Sequence, residues 1–137
     1  AGVKRLRGLN IGEDNKKVIK GQALFFRAYF YNFLANLYGG VPLILEEATE
    51  PRKDYVRATR EATYDQARQD LEDAIKMLND ITKAKDGEVN IQAAQHLLAE
   101  VYISLGDYSE AIAAATAVIT QYGIDENTFR FKKRRNR

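Results

Sequence analysis

The segment GQALFFRAYFYNFLANLYGGVPLILE, from Gly21 to Glu46, gathers Phe25, Phe26, Tyr29, Phe30, Tyr31, Phe33 and Tyr38 into one short span. From Leu24 to Tyr38 only Arg27, Asn32 and Asn36 are polar, and at helical spacing they fall on different sides. A helix that is apolar nearly all round reads as buried. The expectation is a central helix from about Lys16 to Tyr38, with Phe26, Phe30 and either Leu34 or Leu37 packed against the next two helices. Leu24 to Tyr38 advances roughly 22 Å, short of the roughly 30 Å hydrocarbon core of a bilayer. With Arg27 inside it as well, the segment does not read as a membrane span. Gly39, Gly40 and Pro42 then supply a helix cap and a residue that cannot continue the helix. Rings can stack on the apolar faces of sugars, but rings interleaved around a helix read as packing rather than as a ligand platform.

Downstream, the apolar positions keep the helical period. Thr63 with Gln66 reads as a capping box, and Tyr64, Ala67, Leu71, Ala74, Ile75 and Leu78 form a second apolar stripe. Asp86-Gly87 marks a turn, and Asn90 can cap a third helix whose stripe is Ala94, Leu97, Leu98, Val101, Tyr102 and Leu105. Gly106 ends that helix and Asp107 caps a fourth. Ala111, Ile112, Ala115, Val118, Ile119 and Tyr122 are expected to face inward there, and Gly123 closes it. No segment alternates with period two for long enough to argue a sheet. The fold class is therefore all-α, with about four main helices arranged as hairpins.

Composition bounds the function. A chain of 137 residues with 45% hydrophobic and 29% charged residues and no cysteine is of globular type, without disulfides or thiolate chemistry. Six basic residues lie at the C-terminus, Arg130, Lys132, Lys133, Arg134, Arg135 and Arg137, so residues 1–127 carry 15 basic against 19 acidic side chains. A mildly acidic body has no general attraction for nucleic acid, and no nucleic-acid partner is expected. The tail 128–137 reads as a frayed, solvated terminus, although FRFKKRRNR alone resembles a nucleic-acid or localisation patch.

His96, the sole histidine, has no second histidine or cysteine in ligand spacing, so no metal site is expected. The pairs Glu13-Asp14 and Glu46-Glu47 have no partner group that would turn them to acid–base work. No phosphate-cradling glycine loop or nucleophile elbow is present, so no catalytic residue and no cofactor are assigned. Arg27 is expected to be buried in an ion pair with Asp70 or Glu100. The long connection from Gly39 to about Arg60 is the segment expected to carry function or an interface. Arg52 and Tyr55, a donor and a ring on that connection, are the ligand-binding candidates.

The third and fourth helices resemble a tetratricopeptide hairpin, with Leu98, Ala99, Tyr102, Gly106, Tyr108 and Ala111 at the pattern positions, although Ala115 stands where a large aromatic is usual. The opening segment resembles the SusD/RagB family, whose first repeat helix carries G-[EQ]-A-x-F-x-R-A-x-x-Y and ends in G-G-V-P-L. Pro51, the Arg57–Thr59 segment, Tyr64, Asp70-Leu71, Ala74, Leu78, Ala93-Ala94 and the GDYSEAI hairpin follow in the family's order, so the likeness covers roughly residues 16–124. The resemblance implies a glycan- or nutrient-binding lipoprotein on the outer face of the cell outer membrane. Its implied partners are a SusC-like TonB-dependent transporter and an oligosaccharide or other nutrient. It also implies that such helices act mainly as scaffold and partner-facing surface. Members of the family are several times longer and carry a lipidated N-terminal cysteine. Residues 1–127 are therefore expected to form a tetratricopeptide-like, SusD-type helical domain that is part of a larger protein. The alternative is a general tetratricopeptide-type interaction scaffold that binds no carbohydrate.

Overall fold

Among the described residues, four helices form where the apolar stripes place them: α1, Glu13–Tyr38; α2, Arg60–Leu78; α3, Ile91–Leu105; and α4, Tyr108–Tyr122. The computed structural model describes residues 12–51, 53–79 and 88–122, and no strand occurs among them. The turn at Asp86-Gly87, Gly123, Arg52 and the tail 128–137 lie outside the described residues. Each helix packs chiefly on its neighbours in sequence, α1 on α2, α2 on α3 and α3 on α4. This is the arrangement of stacked antiparallel hairpins, and the fold is tetratricopeptide-like.

Local chemistry sets the ends. The α2 cap is Thr59, not Thr63: its hydroxyl accepts from the Ala62 amide at 3.0 Å. Thr63 lies one turn inside, fully buried, with its own hydroxyl donating back to the Thr59 carbonyl at 2.8 Å. An earlier threonine with a free turn ahead of it therefore takes the cap, and Thr63 becomes a core residue. Asn90 caps α3 as expected, accepting from the Ala93 amide at 2.8 Å. Gly106 ends α3 in the left-handed region, at φ 85° and ψ 6°, where a Cβ would be strained.

The core centres on Tyr31, Tyr64, Leu71, Leu97, Leu98 and Val101, joined by Ala28, Ala35, Ala67 and Ala94. Small residues let the helices close on one another. A Cβ added at Gly21 would stand 2.9 Å from Leu78 Cγ, so a larger residue there would have to displace the Leu78 side chain at the end of α2. The α1 face turned to its neighbours is thus built from Gly21, Leu24, Ala28, Tyr31, Asn32 and Ala35.

That choice overturns the expectation for the large rings. Phe26 is 49% exposed, Phe30 58% and Leu37 58%, while Leu34 alone of the four named residues packs partly against the core. One helix face is all that a neighbour can cover, and here the small side chains occupy it, so the bulky ones point outward. The same holds for α4, which among the described residues packs chiefly on α3. Ala111 is buried and Ala115 and Val118 are half-buried, but Ile112 and Ile119 are exposed. The α2 stripe is inward as read, with Ile75 half-buried, and so is that of α3, with Tyr102 and Leu105 at its edge.

Truncating Leu71, which has no accessible surface, is expected to cost about 2–5 kcal/mol. Truncating Phe30 should cost less than about 1 kcal/mol. Urea unfolding of Leu71→Ala and Phe30→Ala at sub-micromolar protein checks both. Equal losses would mean that the outer rings are part of the core.

Candidate functional site: the strap between the first two helices

The connection from Gly39 to Thr59 is tied to the helices at both ends. At its start Gly39 adopts φ 74° and ψ −136°, with its amide still bonded to the Ala35 carbonyl at 3.0 Å. Gly40 is buried against the returning chain: an added Cβ would lie 1.8 Å from the Ala58 carbonyl oxygen. No side chain fits there without parting the two ends. The Ala58 amide donates to the Val41 carbonyl at 3.2 Å, and the Val41 amide to Thr63 Oγ1 at 3.4 Å. The Arg57 guanidinium donates to the carbonyls of Gly40 and Tyr38. A cation thereby caps the carbonyl end of α1, where the helix dipole is negative.

A second clamp comes from α1 itself. The Tyr31 hydroxyl accepts from the Ile44 amide at 2.7 Å and donates to the Ile44 carbonyl at 3.2 Å. The ring is buried at 8% exposure, so Tyr31 serves the core with its face and the strap with its oxygen. Nothing in the periodicity marks Tyr31 off from the other rings, and its clamp could not be read from sequence. Arg57 also escaped notice as a cap, because its partners are carbonyls that only the folded strap brings near.

Between α1 and the strap lies a groove of about 430 Å³, walled by Phe30, Tyr31, Leu34, Pro42, Ile44 and Tyr55 with Arg27 at its edge. A larger hollow of about 920 Å³ lies within the strap, bounded by Pro42–Pro51 and Lys53–Val56. Tyr55 lines both. Of the two ligand-binding candidates, Tyr55 is thus in a concave setting, and Arg52 falls outside the described residues. Glu46 and Glu47 line the larger hollow. Glu13 is in the first turn of α1, bonded to Lys16 at 2.8 Å, a contact that holds its carboxyl below the usual value. His96 is exposed on α3, and no cluster of metal-ligating side chains occurs among the described residues.

Arg27 makes the ion pair expected of it, with Asp70. Nε and Nη2 each donate to one carboxylate oxygen at 2.6 Å, the bidentate geometry that makes arginine pairs strong. Asp70 is the buried member, 4% exposed at its side chain, whereas Arg27 keeps 32%. The expectation of a largely buried Arg27 is corrected accordingly: it lines the groove while its guanidinium pairs with Asp70. Gln66 Nε2 completes the set, 2.9 Å from Asp70 Oδ1. The hydrogen bond to Asp70 raises the guanidinium pKa above its ordinary value. Glu100, the other carboxylate considered, instead accepts from Asn32 Nδ2 at 3.2 Å.

The comparisons with known proteins agree with one another. Residues 5–103 match a SusD-like family model described as "Starch-binding associating with outer membrane". No curated protein matches the chain. Among solved structures, a laminarin-binding SusD-like protein superimposes with a TM-score of 0.73 at 29% identity, over 85% of this chain and 26% of that one. A SusD-like protein from Bacteroides fragilis gives 0.76 at 27% identity, over 84% and 23%. Surface glycan-binding protein A from Bacteroides uniformis gives 0.73 at 26% identity, over 95% and 29%. The present chain spans roughly a quarter of the length of each. No helix among the described residues is long and apolar enough to cross a membrane.

Replacing Arg27 by alanine leaves Asp70 buried and short of two donors, and is expected to destabilise by on the order of 2 kcal/mol, the remaining exposure of the pair being allowed for. The double variant Arg27→Met/Asp70→Leu should recover most of that loss in the same urea titration. For the clamp, Tyr31→Phe is expected to speed amide exchange at Ile44 while costing about 1 kcal/mol of global stability. Unchanged exchange at Ile44 would show that the strap is held without it.

Proposed function

Because the chain belongs to the SusD-like family of starch- and glycan-binding proteins associated with the outer membrane, we propose that it works in glycan or nutrient uptake beside a SusC-like TonB-dependent transporter. In this reading it faces outward from the cell, and its helices act as scaffold and partner-facing surface. Binding and handover is the role, without bond-breaking chemistry.

One observation carries the division of labour. The groove has apolar walls, and two polar groups at it are already engaged, the Arg27 head with Asp70 and the Tyr31 hydroxyl with Ile44. A sugar needs several convergent donors and acceptors as well as a ring to stack on. Tyr55 offers a ring, but the groups beside it are held by the fold. The laminarin-binding relative is about four times longer than the matched region, which leaves ample chain elsewhere for a sugar site in a protein of that length.

The alternative, a tetratricopeptide-type interaction scaffold with no carbohydrate role, draws on the exposed rings of α1. Calorimetry separates the two when combined with a transporter-binding measurement. Titration of this chain with laminarin and starch oligosaccharides is expected to give no saturable heat in the micromolar range, and a purified SusC-like barrel to bind it without glycan. Saturable sugar binding that is lost in Arg52→Ala/Tyr55→Ala would move the glycan site onto the strap. Failure to bind either sugar or barrel would favour the general scaffold.

A further inference from the structure

The faces that α1 and α2 turn to each other repeat along their length. Gly21, Ala28 and Ala35 follow at intervals of seven on α1, and Leu24 and Tyr31 stand between them at the same interval. On α2 the small Ala67 and Ala74 and the large Tyr64, Leu71 and Leu78 keep that period too. All of them are buried. Counted antiparallel from the contact of Gly21 with Leu78, Leu24 comes level with Ala74, Ala28 with Leu71, Tyr31 with Ala67 and Ala35 with Tyr64. Small meets large at every step. The hydrogen bond from the Tyr64 hydroxyl to Asn36 Oδ1, at 2.7 Å, and the Arg27–Asp70 fork agree with this count. These positions are closed off within the helix pair itself, so no further chain can alter what they meet.

A pattern that returns every seven residues fits itself again when one helix slides by seven. Moved that far, α1 sets Ala28 level with Leu78, Tyr31 with Ala74 and Ala35 with Leu71, and the same matching of small to large returns. What changes is polar. Asp70, 4% exposed at its side chain, comes level with Leu34 and loses both guanidinium donors, which leaves a buried carboxylate without its cation. We infer that Arg27 and Asp70 are positioning residues that hold α1 and α2 in their register against this slide, a choice that the apolar packing does not make. The ties of the strap are weaker arbiters. Ala58 to Val41 at 3.2 Å and Val41 to Thr63 at 3.4 Å join backbone groups at the helix ends, and water can serve such groups when the ends part. The strap instead depends on the fork. A slide of seven residues is about 10 Å along the helix, enough to carry Gly40 away from the Ala58 carbonyl that it now admits.

The chain has no cysteine, so introduced disulfides can report the register in the whole chain. A Cβ at Gly21 would stand 3.2 Å from Met77 Cβ, close to disulfide spacing, and Gly21→Cys/Met77→Cys is expected to oxidise rapidly within one molecule. Ala28→Cys/Met77→Cys can close only after the slide, and should oxidise slowly. Adding Arg27→Met/Asp70→Leu to that pair is expected to speed its closure at least about tenfold, with helix content by circular dichroism unchanged. Ala35→Cys/Met77→Cys separates sliding from general loosening, because it needs two such slides or an unfolded chain. It should stay slow with and without the fork. No faster closure between positions 28 and 77 once the fork is removed, or an equal gain between positions 35 and 77, would overturn the inference.

Discussion

The close approach of α1 and α2 governs the rest of the molecule. Gly21 lies against Leu78, and Ala28, Ala35, Ala67 and Ala74 carry no accessible surface, so small residues line the face between the two helices. The cost is that a face of small residues buries little area per residue. Compensation comes from Tyr31, Tyr64 and Leu71 in the core and from the Arg27–Asp70 fork between the helices. The fork also fixes how the helices lie, since two parallel hydrogen bonds to one carboxylate tolerate less rotation than an apolar contact does.

Much of this could be read from the residues in advance. The four helices, the caps at Asn90 and Gly106 and the pairing of Arg27 with Asp70 follow from local chemistry or helical period, both of which act within a few residues. The inward faces of α2 and α3 were legible for the same reason: their polar sides leave one direction for the core. In α1 that argument fails. With apolar residues on nearly every side, the wheel cannot say which face is covered. Size decides it instead, because the partner helix also presents alanines. Phe26 and Phe30 were therefore misjudged by reasoning that weighed hydrophobicity and not volume. The strap was recognised by its length alone, and its clamps through Tyr31 and Arg57 depend on backbone groups whose positions no side-chain pattern encodes.

The family relation gives these local features a setting. The matched residues 5–103 include α1, the strap, α2 and most of α3. The G-G-V-P-L run that marks the resemblance has a clear physical task. It turns the chain out of α1 where Gly40 must admit the Ala58 carbonyl, and it leads to the backbone that Tyr31 grips. A sequence signature and a set of steric demands thus coincide at one corner of the fold.

Those clamps also decide where the molecule can change. With Ile44 held on one side and the Val41–Ala58 bond closing the base, the span between Leu45 and Arg57 starts and ends at fixed points. Lengthening such a loop is cheap, since doubling it adds only about 0.6 kcal/mol of closure entropy. The strap is accordingly a place where new recognition surface can be acquired, by natural insertion or by grafting, while the scaffold remains as it is.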